Sequence, residues 1–178
     1  MIIDRLLTEA DIAALVYIAD RHGLKRVPGL SRKQLVGRLK RHVPARALFD
    51  GLVAAKYGSY TTADLLELLL HDPAYDRLSA GKPRLDHIDR QRAVLLEGTP
   101  RRWAYTMRGH DVIIDLGRQA LACDCRYYTF AARHRLICKH IATALDLIPE
   151  VYSRSALIDL LLNRDVWTFK AVSARPVL

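Results

Sequence analysis

All three cysteines of this 178-residue chain fall in one short stretch, as Cys123-Asp124-Cys125 and, after twelve intervening residues, Cys138-Lys139-His140. Three thiolates and one imidazole complete a tetrahedron around Zn2+ and leave no position open for water or substrate, so this donor set points to a structural ion rather than a catalytic one. An odd number of clustered cysteines favours metal ligation over a disulfide framework. Three buried cysteines acting as small apolar residues is the plainer alternative. In an extended segment residues i and i+2 share a face, so Cys123 and Cys125 can present two thiolates from one strand end. After Cys138 the apolar positions Ile141, Ala142, Ala144, Leu145 and Ile148 follow helical spacing, which places the second pair at a helix start. His134 is the competing imidazole, in a polar loop; His140 is preferred because it sits beside Cys138 at that start. With its ligands deprotonated the zinc site carries one net negative charge, which Arg126, Arg133, Arg135 and Lys139 can offset. By analogy with zinc-finger peptides such an ion supplies ~10–16 kcal/mol to folding.

The elements that hold these residues read as an α+β chain. Thr8 is expected to cap a helix with apolar positions Ile12, Leu15, Val16 and Ala19, ended by Gly23. Ser31 and Gln34 form a capping box, with Leu30 and Leu35 as a hydrophobic staple, for a second helix through Leu39. Pro44 opens a third through Leu48, Leu52 and Val53 to Gly58. Thr61 or Thr62 caps a fourth containing Leu65, Leu66, Leu68 and Leu69, closed by Pro73. Residues 72–83 read as a connection, and Leu85 to Glu97 as a helix ended by Gly98-Thr99-Pro100. From Trp103 the pattern turns to short β runs: Trp103 to Met107, a turn at Arg108-Gly109, Val112 to Ile114, a turn at Gly117-Arg118, then Leu121 into the cysteines. A last helix, Ser155 to Asn163, precedes a tail with Trp167 and Phe169. The expected organisation is a helical region over 1–73, a linker and helix over 74–101, a metal module over 102–150, and a C-terminal helix and tail over 151–178. A weak echo links residues 29–43 with 58–73, both a capped helix after a turn.

The formal charge of +9 is local, because nine Lys/Arg and no Asp or Glu lie between Arg21 and Arg46, leaving 19 basic and 19 acidic residues elsewhere. On a helical wheel Lys33, Lys40 and Arg41 project opposite the stripe of Leu35, Val36 and Leu39. A solvated basic face is the alternative to a phosphate-contacting one. The first residues lack a basic leader and the longest apolar runs fall far short of the ~20 residues of a membrane span, so a cytoplasmic chain is expected, nucleoid-associated if bacterial or archaeal.

The pattern Cys-x-Cys, loop, Cys-x-His resembles the SWIM-type zinc finger. The likeness extends over residues 107–116 as its first hairpin and over Cys138-Lys139-His140-Ile141-Ala142 as its helix start, and spans Trp103 to Pro149. It implies a compact ββα unit, Zn2+ and a binding role, since such fingers occur in bacterial remodelling-type helicases, Mutator-like transposases and recombination-mediator proteins. Ile12 to His42 more faintly resembles a SAP-type helix-extended-helix DNA-binding module, through Arg21-His22-Gly23-Leu24 and the run from Ser31 to Leu39.

Two functions follow as expectations. The first is a non-catalytic nucleic-acid-binding accessory protein, for DNA before RNA, with contacts at Lys25, Arg26, Arg32, Lys33, Arg38, Lys40 and Arg41 and, near the finger, Arg133, Arg135 and Lys139. The second is a protein-interaction adaptor in a complex built around a helicase, transposase or recombinase, with Val166, Trp167 and Phe169 as anchors. An enzyme is disfavoured, because no His-x-Glu pairing of deaminase type, Gly-rich phosphate loop or nucleophile elbow occurs. Asp86 and Asp89 flanking His87 read as surface residues.

Overall fold

The computed structural model describes residues 2–25, 27, 29–78, 81–83 and 92–172. Its fold is α+β, with eight α-helices and one five-stranded sheet among the described residues. The chain divides into two compact units, Met1–Tyr60 and Thr61–Leu178.

The first unit is helical: α1 (Ile2–Glu9), α2 (Ile12–Arg21), α3 (Arg32–His42) and α4 (Ala45–Tyr57). Thr8 does not cap the helix expected to follow it. It lies inside α1, where its hydroxyl donates to the Asp4 carbonyl at 2.8 Å, and Asp11 caps α2 by accepting from the Ala14 amide. A carboxylate accepts that bond as readily as a hydroxyl, which is how the cap moved by three residues. The capping box of Ser31 and Gln34 is present at α3, and Gly23 follows the α2 C-terminus at a φ of +67°. Leu6, Leu15, Ile18, Leu35, Leu39, Leu48 and Leu52 form the core. Gly51 lets α4 approach α2 closely, since a Cβ there would stand 3.1 Å from Ile18 Cγ1.

In the second unit, α5 (Thr62–Leu70) carries a capping box of Thr61 and Asp64 and buries Leu65, Leu66, Leu69 and Leu70, whereas Leu68 is exposed. Pro73 begins a 3-10 turn, Pro73–Arg77, capped by Asp72, rather than merely closing α5. The expected helix from Leu85 to Glu97 is not what its described part forms. Residues 84–91, with Asp86, His87 and Asp89, lie outside the described residues, and Ala93–Thr99 is strand β1, paired antiparallel to β2 (Arg102–Met107). A Leu-rich run of this length fits either state, and the neighbouring strand decides it by taking up the backbone hydrogen bonds.

β2 turns into β3 (His110–Asp115) through Arg108 and Gly109, whose φ values of 50° and 79° give the doubly left-handed turn that matches strand twist. β3 pairs antiparallel with β4 (Ala120–Cys123), and the C-terminal strand β5 (Thr168–Ala171) joins β4 in parallel. The sheet thus has five strands, more than the hairpin of a minimal ββα unit. Strand alternation aims Trp103, Tyr105, Met107, Val112, Ile114, Leu121 and Cys123 at the buried face. α7 (Lys139–Leu147) packs there, buried from His140 through Leu145, together with α8 (Glu150–Asn163), which begins five residues before the expected Ser155. Asp159 on α8 accepts from Gln119 Nε2 at 2.7 Å, Trp167 Nε1 at 2.8 Å and Asn163 Nδ2 at 2.6 Å, fastening the β5 strand to the sheet. No described helix is long and apolar enough to cross a membrane.

Candidate metal centre

Each donor owes its position to a different local rule. Cys123 is the last residue of β4, opposite Val112 of β3, so the pleat turns its Sγ towards α7. Cys125 is not on that strand: it is the N-cap of α6 (Arg126–Ala131), and its amide donates to Cys123 Sγ at 3.5 Å. Cys138 is the N-cap of α7 and His140 lies in that helix's first turn. The four donor atoms lie within 4.8 Å of one another and all four residues are buried, a group that can hold a metal ion. His140 Nδ1 is 3.8 Å from Cys123 Sγ. His134 stands outside the group, exposed in the 3-10 turn Ala132–His134.

The knuckle between the first two cysteines is fixed by Asp124, whose Oδ1 accepts from the Asp111 amide at 3.1 Å and faces His110 Nδ1 at 3.0 Å. The His110 ring in turn lies against that of His140, with centroids 4.7 Å apart. The second donor pair, Cys138 and His140, is braced by Tyr75. Its hydroxyl donates to the Ile137 carbonyl at 2.9 Å and accepts from the Ile137 amide at 3.1 Å, one residue before Cys138. Tyr128 Oη donates to the Leu121 carbonyl at 3.2 Å, bracing β4 from the same side. Tyr75 carried no local sequence signal, because it is 62 residues from its partner.

Three thiols this close cannot all ionise by themselves. Hydrogen bonds from Cys123 and then Cys138 hold the Cys125 thiol far below the ordinary range. The hydrogen bond with Cys125 pushes Cys123 up to about 12, and burial drives Cys138 well above its usual value. A divalent cation among them reverses the repulsion and lets all three bind as thiolates.

The expected phosphate-contacting cations separate into three groups. Several heads are occupied within the fold: Arg32 donates to the carbonyls of Leu7, Thr8 and Ala10, Arg38 to that of Lys25, and Lys40 pairs with Asp4 at 2.5 Å, holding that carboxyl below its usual range. Arg135 pairs with Asp165 and donates to its carbonyl. Lys25, Lys33, Arg41 and Arg133 are exposed and make no ion pair among the described residues, and Arg26 lies outside them. Lys139 lines a cleft over the cysteine cluster, together with Lys82, Arg108 and Arg126. Of these only Arg126 and Lys139 could be anticipated, through their neighbouring ligands. Trp167 is buried and bonded to Asp159, so it is no anchor for a partner; Val166 is exposed. Comparison of the chain with protein families, curated proteins and solved structures finds no match.

Proposed function

We propose that this chain is a zinc-stabilised, non-catalytic protein that binds nucleic acid, DNA before RNA. The observation that carries the reading is a closed, buried Cys3His group in a chain that leaves Lys33 and Arg41 exposed and unpaired among the described residues on one face of α3. Zinc fits the donors best, since thiolate and imidazole suit its borderline-soft character. A tetrahedron with Zn–S of about 2.3 Å and Zn–N of about 2.0 Å has S···S edges of about 3.8 Å and S···N edges of about 3.5 Å, and Cys123 Sγ and His140 Nδ1 stand 3.8 Å apart. Cys123, Cys125, Cys138 and His140 would hold the ion, which fixes strand end to helix start and takes no part in a reaction. The two-stranded start of the module, the Cys-x-Cys knuckle and the Cys-x-His helix start support the SWIM-type likeness, and α2 and α3 joined by residues 22–31 support the SAP-type one.

The test is anisotropy of labelled single- and double-stranded DNA with the zinc-loaded protein at low and near-physiological salt. Micromolar or tighter binding that weakens steeply with salt is expected. Absence of binding at low salt would overturn the nucleic-acid half and leave the metal site standing.

One observation favours the adaptor reading. Among the described residues β1 is an edge strand that exposes Val94, Leu95 and Leu96 by 59, 55 and 59%, and an apolar edge is a template for strand addition by another protein. A stoichiometric complex that survives high salt and is lost on Leu95→Lys would support it.

A further inference from the structure

Against the metal cluster lies a cleft of about 460 Å³ whose rim carries Lys82, Arg108, Arg126 and Lys139. Its floor includes Cys125, Cys138 and the rings of His110 and His140, which meet at 42° with centroids 4.7 Å apart. The four cations come from four separate stretches of chain. Lys82 belongs to the segment 81–83, which Tyr127 ties down by donating its hydroxyl to the Gly81 carbonyl at 2.6 Å. Arg108 sits at the tip of the β2–β3 turn, Arg126 is the first residue of α6, and Lys139 the first of α7. No acidic side chain among the described residues lines the cleft, and Lys82, Arg126 and Lys139 make no ion pair among them.

Charge balance for the metal does not account for this arrangement. A divalent ion with three thiolates carries one net negative charge, which a single cation would neutralise. The fold instead converges three that make no ion pair among the described residues, Lys82, Arg126 and Lys139, all exposed and therefore free of the desolvation that would oppose their charge. Such a surplus is the footprint of an anionic ligand.

The occupant is identified by how the charges are placed. They line a rim rather than a buried floor, which suits a polyanion running across the cleft more than one enclosed phosphate. The concavity falls within the ~300–1,000 Å³ of ligand pockets, so it can take a splayed base, which a rigid duplex does not offer. Tyr127 and His110 supply ring faces of the kind on which unpaired bases stack. We propose that this cleft is a groove for a single nucleic-acid strand, with Lys82, Arg126 and Lys139 on its phosphates and the Tyr127 and His110 rings beside a base. This rests on the nucleic-acid reading above but places the contact in the second unit, at residues separate from α3.

The test uses the full-length zinc-loaded protein and a labelled oligothymidine, titrated over a range of salt, for the wild type, Lys82→Ala, Arg126→Ala and the double variant. The double variant is expected to bind at least about ten-fold more weakly, with a salt slope shallower by ~1.4, from ~0.7 per phosphate contact on a single strand. Zinc content is measured alongside. If Arg126→Ala loses zinc, Lys82→Ala, distant in sequence from every ligand, decides the matter alone, with a slope change of ~0.7. Wild-type binding that neither variant alters in affinity or slope would overturn this inference and leave the nucleic-acid reading intact, whereas no wild-type binding to any nucleic acid overturns both. Duplex of the same length bound as tightly, and equally weakened by the variants, would overturn the single-strand assignment. Competition by a mononucleotide as effective as the oligonucleotide at equal phosphate concentration would overturn the strand in favour of a free phosphate ligand.

Discussion

At the residue scale, the candidate metal group is four side chains that meet at a strand end and two helix starts, with donor atoms within 4.8 Å of one another. Cys138 is the deepest of them, fully buried and with its thiol pushed upward by that burial. Cys138→Ser is expected to lose the ion and, with it, much of the ~10–16 kcal/mol that a structural zinc supplies. Metal analysis and far-ultraviolet circular dichroism read both, and full metal content with unchanged thermal stability would refute the ligand assignment. Tyr75 is the less obvious residue. Removing its hydroxyl by Tyr75→Phe leaves the Ile137 amide and carbonyl buried without their partner, at a cost of about 1–3 kcal/mol. Denaturant melts of the metal-loaded protein check this, with zinc stoichiometry expected to hold because no ligand has changed.

At the element scale, α3 is a helix whose basic residues do different jobs. Arg32 holds the carbonyls at the end of α1 and Lys40 answers Asp4, so these two serve the fold whatever else they meet. Lys33 and Arg41 have no such duty among the described residues. Reversing only these two, as Lys33→Glu with Arg41→Glu, is expected to weaken duplex binding and flatten its salt slope by ~1.8, at ~0.9 per contact. Stability should change by no more than about 1 kcal/mol, chiefly from losing a cation at the helix C-terminus. Unchanged affinity would remove α3 from the binding surface. The leucine-rich stretch before Gly98 teaches a different lesson about elements. Its periodicity is compatible with a helix, yet β2 stands alongside it and Ala93–Thr99 completes the sheet edge.

For the whole molecule, the phenols of the second unit make its stability depend on alkaline pH. Burial raises Tyr75 and Tyr128 well above the ordinary value of 10.0, and raises half-buried Tyr127 to about 12. A phenol whose pKa is raised by folding adds stability that is fully present below the unfolded value and is lost as pH climbs through the folded one. The second unit should therefore keep its circular dichroism up to about pH 10 and lose it above, with part of the tyrosinate absorbance appearing only as the unit unfolds. Early, complete tyrosinate formation in a still-folded protein would contradict the burial of these rings. What the sequence by itself determined is chemistry confined to a few neighbouring positions: the quartet of candidate metal donors, the capping box at Ser31, Pro44 at the start of α4, the Arg108-Gly109 turn, the α+β class. Ligand type, cap and turn residue act over one to four positions or through metal valence, so they can be read directly. Only the tertiary structure decided that Ala93–Thr99 is a strand, that the Trp167 tail closes the sheet through Asp159, that Tyr75 braces Cys138, and that Lys82 and Arg108 converge with Arg126 and Lys139. The β5 pairing, the Tyr75 brace and the four cations depend on groups brought together from distant positions, and β1 on hydrogen bonds to the adjoining β2, so a residue's own neighbours in the chain do not show what will be packed against it.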